Sequence, residues 1–324
     1  MPSQPVVVVL HDGRLPSTEE MAPVAEQAEL RYVDEAGLAD ALPGADVLFA
    51  YHFLSRAVPD AWHATDGLQW LHVAAAGVDR FLSPEVVADP VVVTNSRGVF
   101  DAAIGEYVLG QVLAFAKDLP GAVRQQQQHE WQHRESERVA GTDALVVGTG
   151  PIGRAIAGAL RAVGVSVRGA GRRARTDDPD FGTVCGPDDL PAELGAADWV
   201  VAAAPLTEAT RGMFDAEAFA AMRPSARLIN VGRGELVRTD ELVAALRDGR
   251  LAGAALDVVD PEPLPTAHPL WDLPQVIITA HRSGDVVGWR EELVRVFADN
   301  FVRWQGKQPL HNVVDKTLGY VPGS

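Results

Sequence analysis

The sequence predicts an α/β protein with two doubly wound parallel-sheet domains and a cleft between them. Its 324 residues are too many for one ordinary hydrophobic core. Short apolar runs alternate with helical patterns along the chain, and a glycine-rich turn opens a second round of this alternation. Strands separated by helices indicate parallel sheets that are covered on both faces.

The first round of alternation predicts five strands joined by helices or turns. These strands are residues 6–10, 31–33, 46–50, 70–74 and 91–94. A longer pattern with apolar faces follows over residues 102–117 and predicts a helix.

The second round predicts six strands and a further set of helices. The strands are residues 144–147, 165–170, 199–203, 227–231, 253–258 and 276–279, and the helices are 152–163, 216–222, 240–247 and 286–304. We expect the last helix to cross back to the first domain. The predicted domains are therefore residues 1–100 plus 287–324, and residues 101–286.

Composition excludes several classes of partner. A net charge of −16 repels nucleic acid and anionic lipid. No apolar run approaches the ~20 residues that a membrane span requires. The single Cys185 cannot form an internal disulfide, which fits a reducing cytoplasm. We expect a cytoplasmic protein that binds a small molecule and has no metal site.

The glycine-rich turn Gly-Thr-Gly-Pro-Ile-Gly spans residues 148–153, between a predicted strand and a predicted helix. In that position Gly148 permits a tight turn, Gly150 lets the backbone approach a pyrophosphate, and the third glycine lets helix and strand pack closely. The helix N-terminus offers free N–H groups to the anion. The turn predicts a Rossmann-type dinucleotide site that includes Gly148, Gly150, Pro151 and Ile152.

The end of the next strand predicts which coenzyme binds. An acidic residue there would hold the 2′-hydroxyl of NAD, but residues 170–173 read Ala-Gly-Arg-Arg. Arginine binds a 2′-phosphate through charge-assisted bidentate hydrogen bonds. We therefore predict NADP(H) in preference to NAD(H), with Arg172 as the first phosphate contact and Arg173 as the second.

Three segments at predicted strand ends carry chemical candidates, namely Arg233, Glu262 and His281. Taken singly, such residues in loops are usually just solvated. Together, in a chain that also has a dinucleotide-binding turn, they indicate one reaction. Reduction of a 2-oxo acid needs a cation for the carboxylate, a proton donor for the carbonyl oxygen and a partner for that donor.

Further motifs carry a resemblance to a known family. They lie at residues 75–79, 94–99, 104–106, 205–207 with Thr210, 268–271 and 319–320. With the glycine turn and the three segments above, they make nearly the whole chain resemble the D-isomer-specific 2-hydroxyacid dehydrogenases. The arginine-bearing turn resembles that of the NADPH-dependent glyoxylate and hydroxypyruvate reductases in this family.

The resemblance implies a catalytic set of Arg233, Glu262 and His281 for reduction of small 2-oxo acids to D-2-hydroxy acids. His281 would be the general acid. Glu262 would orient its imidazole and favour the protonated form, and Arg233 would bind the substrate carboxylate. One departure is Ala280, which stands where the family usually has proline before the catalytic histidine.

The resemblance also implies the surrounding binding residues. In a flavodoxin-like substrate-binding domain, backbone N–H groups of Ala76, Gly77 and Val78 would hold the carboxylate, and Tyr51 would line the pocket. The cofactor site would further include four residues from the second round of strands. These are Pro205, Thr210, Val231 and Asp257.

The resemblance implies a homodimer, formed through the helix after Asp101 and a polar arm that carries Trp131. Other activities stay open at this point. A related fold could oxidise formate or phosphite, or serve as a non-catalytic NAD(P)H-sensing scaffold. A phosphoglycerate dehydrogenase is disfavoured because no added regulatory domain follows within the sequence.

Overall fold

The computed structural model describes residues 4–322, and it divides into two compact units. The first holds the chain up to Val99 and resumes at Val287, whereas the second is Phe100–Val286. Each unit contains its own sheet, and parallel pairing dominates both. The predicted α/β class with two parallel-sheet domains is therefore confirmed.

The first unit contains a five-stranded, fully parallel sheet in the order β2-β1-β3-β4-β5. Its strands are Val6–Leu10 (β1), Glu29–Val33 (β2), Val47–Ala50 (β3), Trp70–Val73 (β4) and Val92–Asn95 (β5). The two strands β3 and β4 are buried along their whole length. Burial on both faces explains why the sequence shows continuous apolar runs there rather than alternation.

Four short helices and one long one complete the first unit. They are Thr18–Ala25 (α1), Leu38–Ala41 (α2), Ala57–Ala61 (α3), Pro84–Ala88 (α4) and, at the end of the chain, Trp289–Gln305 (α11). Phe297 of α11 stacks on Phe49 of β3 with ring centroids 4.0 Å apart, and on Trp70 of β4 at 5.3 Å. The final helix thus belongs to the core of the unit that contains the N-terminal strands.

The second unit contains an eight-stranded sheet in the order β13-β12-β11-β10-β6-β7-β9-β8. Its strands are Asp143–Val147 (β6), Ser166–Ala170 (β7), Arg175–Asp178 (β8), Gly182–Cys185 (β9), Trp199–Ala202 (β10), Arg227–Asn230 (β11), Gly253–Leu256 (β12) and Val276–Ile278 (β13). Only the β8–β9 pair is antiparallel. Strand order reverses direction between β6 and β10, and ligands of open α/β sheets bind at such switch points.

The second unit has six helices, and short 3-10 turns occur in both units. The helices are Asp101–Ala116 (α5), Leu119–Gln127 (α6), Pro151–Ala162 (α7), Leu190–Leu194 (α8), Ala216–Ala221 (α9) and Thr239–Arg247 (α10); the 3-10 turns are Trp62–Ala64, Pro187–Asp189, Gly234–Leu236 and Pro269–Asp272. Helices α5 and α7 approach closely at Gly105, where a Cβ would lie 3.0 Å from the carbonyl oxygen of Ala155.

The β8–β9 hairpin is an element that the sequence did not predict. Strand β8 is polar and has no apolar pattern, so its formation depends on long-range partners. The carboxylate of Asp178 pairs with Arg154 of α7 and with Arg175, and it accepts the backbone N–H groups of Asp180 and Phe181. Burial would raise the pKa of Asp178, but the hydrogen bonds from Arg175 and Arg154 outweigh it and hold that pKa below its usual value.

The polar segment after α5 begins with a helix that the sequence did not predict. Helix α6 ends at Gln127, so the glutamines at its end are helical, and most of them are exposed. Beyond it, the side chain of Trp131 is fully exposed. No helix within residues 4–322 combines the length and the apolar character that crossing a membrane demands.

Candidate functional site

The glycine turn sits between β6 and α7, and two of its glycines are required by contacts. Gly148 has φ +115°, and a Cβ there would lie 2.5 Å from the backbone of Ala203 after β10. At Gly153 a Cβ would lie 1.9 Å from the carbonyl oxygen of Gly148. The turn therefore folds back on its own helix and passes close to the neighbouring strand end, and only glycine permits both approaches.

Gly150 meets a different environment. It is the N-cap residue of α7, and no side chain forms a capping hydrogen bond there. A Cβ at this glycine would have no atom within 4 Å. Pro151 occupies the first helical position and needs no N–H partner there. The N-terminus of α7 thus has no side-chain cap and open space beside Gly150. The residues present fit a dinucleotide pyrophosphate.

The turn after β7 lies beside the glycine turn, because the N–H of Gly148 donates to the carbonyl oxygen of Ala170 at 2.9 Å. Arg172 and Arg173 of this turn are exposed. Arg175, by contrast, is held in the hairpin by Asp178 at 2.8 Å. The two arginines that the sequence assigned to a 2′-phosphate are therefore at the strand end next to the pyrophosphate candidate.

Arg233, Glu262 and His281 follow three neighbouring strands of the same sheet. The ends of these strands are in register, with Asn230 of β11 opposite Leu256 of β12, and Leu256 opposite Ile278 of β13. Parallel strands bring their carboxyl ends to one edge. The fold of the second unit thus brings the three candidate segments together, although the chain separates them by tens of residues.

His281 and Glu262 are in direct contact. The imidazole Nδ1 lies 3.0 Å from Oε2 of Glu262, and the other carboxylate oxygen accepts the N–H of Val259 at 3.1 Å. An ionised carboxylate only accepts hydrogen bonds, so Nδ1 carries the hydrogen and Nε2 is left for another partner. Both side chains are partly exposed, 33% for the histidine and 23% for the glutamate, so solutes can reach them.

The segment that carries Arg233 packs against the segment that carries Glu262. A Cβ at Gly234 would lie 2.0 Å from the carbonyl oxygen of Val259. Asn230, which is fully buried, donates to the carbonyl oxygen of Arg233 at 2.9 Å. Sequence reasoning missed Asn230 and Gly234 as supporting residues, although both stand within the predicted segment.

Asp257 begins the segment after β12 and is 2% exposed. Its carboxylate accepts the N–H groups of Arg282 at 3.0 Å and Ser283 at 2.9 Å, and its carbonyl oxygen accepts the N–H of His281 at 2.8 Å. The sequence placed Asp257 in the cofactor site. In the structure its hydrogen bonds go to the turn that contains His281.

Pro205, Thr210 and Val231 lie at the ends of β10 and β11. The hydroxyl of Thr210 donates to the carbonyl oxygen of Pro205 at 2.7 Å, which closes the loop between them. The N–H of Val231 donates to the carbonyl oxygen of Ala202 at 3.0 Å, and the residue is 7% exposed. These residues share the sheet edge where the glycine turn lies.

The first unit contains the remaining predicted residues, Tyr51 after β3 and Ala76, Gly77 and Val78 after β4. Val78 is 1% exposed, and the carbonyl oxygen of Ala76 accepts a hydrogen bond from Asn95 at 2.5 Å. Tyr51 is 3% exposed. Because β3 and β4 are adjacent and parallel, both segments lie at the same carboxyl edge of this unit's sheet.

Solved structures share this fold across almost the whole chain. An NADPH-dependent glyoxylate/hydroxypyruvate reductase from Sinorhizobium meliloti, in complex with NADP and sulfate, is 28% identical with a TM-score of 0.83, covering 98% of this chain and 100% of its own. A D-isomer specific 2-hydroxyacid dehydrogenase from Xanthobacter autotrophicus, in complex with NADPH and MES, is also 28% identical, with a TM-score of 0.84 and the same coverage of both chains.

Sequence comparison gives the same relationship. A glyoxylate/hydroxypyruvate reductase A from Serratia proteamaculans is 30% identical over 260 residues, which are 78% of this chain and 82% of that protein. The family model for the NAD binding domain of D-isomer specific 2-hydroxyacid dehydrogenases matches residues 109–283. The chain therefore belongs to the D-isomer specific 2-hydroxyacid dehydrogenase family.

Proposed function

We propose that the protein reduces small 2-oxo acids, such as glyoxylate or hydroxypyruvate, to D-2-hydroxy acids with NADPH. The observation that carries this proposal is the 3.0 Å contact between His281 and Glu262, at strand ends that also hold Arg233. A proton donor, its carboxylate partner and a cation are the groups that carbonyl reduction of an oxo acid requires. Two of the proteins that resemble this chain are glyoxylate/hydroxypyruvate reductases, which supports the same substrate class.

His281 is the proposed general acid. Its Nε2 gives a proton to the carbonyl oxygen of the substrate, while Glu262 fixes the ring through Nδ1. Such catalysis supplies roughly 10²–10⁴-fold in rate. When bound, NADPH supplies the hydride to the carbonyl carbon.

Arg233 is the proposed carboxylate-binding residue. A guanidinium forms two parallel hydrogen bonds with a carboxylate, which fixes the orientation of the adjacent carbonyl. For the first unit we propose a substrate-binding role, through the N–H groups of Ala76, Gly77 and Val78 and the side chain of Tyr51. For the second unit we propose the dinucleotide-binding role.

The proposed preference for NADP(H) depends on the turn after β7. Arg172 and Arg173 are exposed beside the glycine turn. Gly171 stands where an acidic residue would bind the 2′-hydroxyl of NAD. A 2′-phosphate is attracted by two guanidinium groups, whereas a carboxylate would repel it. The remaining proposed cofactor contacts are Gly148, Gly150, Pro151, Ile152, Pro205, Thr210 and Val231. The carboxylate of Asp257, which the sequence also assigned to the cofactor site, is instead proposed to hold the turn of His281.

A homodimer is proposed from an exposed apolar set in the second unit. Leu119 and Val123 of α6 are 51% and 53% exposed, and Trp131 beyond this helix is fully exposed. Leu119 and Val123 are four residues apart and so lie on one face of α6, and exposed apolar side chains that cluster on one face typically mark an interface. Light scattering of the wild type and of Trp131→Ser tests this, and a monomeric wild type would contradict it.

A panel of 2-oxo acids assayed with both coenzymes tests the reaction. We expect NADPH oxidation with glyoxylate or hydroxypyruvate, a kcat/KM at least about tenfold higher with NADPH than with NADH, and a D-configured product from hydroxypyruvate on chiral chromatography. Formate and phosphite with NADP⁺ form separate arms. Turnover of these alone would overturn the proposal, as would NADPH binding without turnover of any oxo acid.

A further inference from the structure

The turn that carries His281 has an unusual backbone. His281 has φ +48°, in the left-handed region that side chains other than glycine rarely adopt. Such a conformation persists only when surrounding contacts enforce it. Ala280, which precedes it, has no ring that would restrict the backbone. Other residues must therefore hold this turn.

Asp257 supplies most of the contacts that hold the turn. Three consecutive N–H groups, those of residues 281–283, donate to this one residue at 2.8–3.0 Å. The position of the His281 backbone is thus set by where Asp257 lies. The carboxylate in turn needs its own fixed orientation, because a rotation about its side chain would break two of these bonds.

The hydroxyl groups of Thr279 and Tyr107 form a hydrogen-bonded chain that fixes the Asp257 carboxylate. The hydroxyl of Thr279 donates to Oδ1 of Asp257 at 2.5 Å, and its oxygen lies 2.7 Å from the hydroxyl of Tyr107. Since a threonine hydroxyl has one hydrogen, which goes to the carboxylate, Tyr107 must donate to Thr279. The direction of every hydrogen bond in the chain is then determined.

Tyr107 enters this chain from a distant part of the sequence, helix α5, which packs against α7. Burial raises the pKa of Tyr107 to about 12, so its hydroxyl keeps its hydrogen at all physiological pH values. The hydroxyl chain is therefore a permanent donor path to the carboxylate and not a titrating one.

We infer that Tyr107 and Thr279 are positioning residues, which hold the catalytic turn at His281 in place through Asp257. This inference rests on the proposed role of His281. The hydroxyl chain acts on the imidazole through Asp257 and the backbone of residues 281–283, and none of the hydrogen bonds of Tyr107, Thr279 and Asp257 goes to the glycine turn at residues 148–153. Its loss should therefore reduce the rate of proton transfer and leave coenzyme binding unchanged.

Removal of single hydroxyl groups tests the inference. Tyr107→Phe should lower kcat about threefold to tenfold, the value of one buried hydrogen bond, and Thr279→Val about tenfold to a hundredfold. KM for NADPH should stay within about twofold of the wild type. Thr279→Ser, which keeps the hydroxyl, should restore most of kcat. The double variant should be no slower than Thr279→Val, because Tyr107 acts through Thr279.

Hydrogen exchange gives a readout that does not depend on turnover. In Thr279→Val, the amides of residues 281–283 should exchange faster, while those of β6 and β10 should not change. Tyr32→Phe, on β2 of the first unit, is the matched control and should alter neither exchange nor rate.

The outcomes separate this inference from the proposed function. Unchanged exchange at residues 281–283 in Thr279→Val would overturn the positioning role, as would a rise in KM for NADPH that matches the fall in kcat. If exchange increases as expected while the wild type reduces no 2-oxo acid, the positioning role holds and the proposed reaction fails.

Discussion

Nδ1 of His281 lies 3.0 Å from Oε2 of Glu262, and the same carboxylate is tied to the backbone N–H of Val259. The backbone of its own loop therefore holds the glutamate in place independently of the histidine. Its orientation is set by its own loop, and the imidazole must align with it. This arrangement fixes both the ring plane and the nitrogen that is presented to a substrate.

His281→Ala should lower kcat by roughly 10²–10⁴-fold with glyoxylate or hydroxypyruvate, because the proton donor is removed. NADPH affinity, measured by fluorescence titration, should change little, since the glycine turn is untouched. His63→Ala, at an exposed 3-10 turn of the first unit, is the control. Near-wild-type turnover of His281→Ala would remove His281 from the mechanism.

Arg172→Ala should raise KM for NADPH by about tenfold or more while leaving KM for NADH within about twofold. One charge-assisted hydrogen bond to a phosphate accounts for a change of this size. The comparison of the two coenzymes is an internal control, because they differ only in the 2′-phosphate. An equal loss with both coenzymes would argue against a phosphate contact.

Gly153→Ala should destabilise the fold by about 1–3 kcal/mol and weaken NADPH binding, because its Cβ would meet the carbonyl oxygen of Gly148 at 1.9 Å. Gly158→Ala, in the same helix, is the matched control. A Cβ there finds no atom within 4 Å, so this change should stabilise the helix by up to about 1 kcal/mol. Urea unfolding of both variants measures the difference, and equal effects would contradict the packing argument.

His72 of β4 makes stability depend on pH. It is fully buried, and burial lowers its pKa from 6.5 to about 3. The hydroxyl of Ser96 donates to the carbonyl oxygen of Val73, so it accepts from Nε2 of His72, which carries the ring hydrogen. Nδ1 then accepts from the hydroxyl of Thr94 at 2.7 Å.

As the pH falls from about 6.5 towards 3, the unfolded chain therefore binds a proton that the folded chain does not. Stability contributed by neutral His72 is complete above pH 6.5 and decreases by up to about 1.4 kcal/mol per pH unit below it. Urea unfolding measured between pH 7 and 4.5 should show that the free energy of unfolding falls less steeply with pH in His72→Gln than in the wild type. An identical pH dependence in both proteins would contradict the buried, neutral state of His72.

Much of the fold was predictable because its signals are local. Apolar runs marked the strands β1, β3 and β4, which are buried on both faces, and the spacing of Gly148 and Gly153 matches contacts that exclude any side chain. The segments of Arg233, Glu262 and His281 were predictable because parallel strands place their carboxyl ends at one edge.

Other features depend on contacts that leave no local pattern. Tyr107 meets Thr279 across 172 positions of the chain, and nothing in the sequence around either residue indicates a partner. Strand β8 is polar, and the buried carboxylate of Asp178 at its end pairs with Arg154 of α7, which lies 24 positions earlier in the chain. This pair forms only after the chain has folded.

The commitment of Arg154 and Arg175 to Asp178 has a practical consequence for redesign. Arg154, Arg161 and Arg175 hold the β8–β9 hairpin, whereas Arg172 and Arg173 of the turn after β7 are exposed. Under the proposed preference for NADP(H), exchange of the exposed pair alone, with an acidic residue introduced at position 171 or 172, is the route to a variant that uses NADH and keeps the hairpin intact. Substitution of Arg154 or Arg175 would instead leave the buried carboxylate of Asp178 with one cation fewer and destabilise the hairpin.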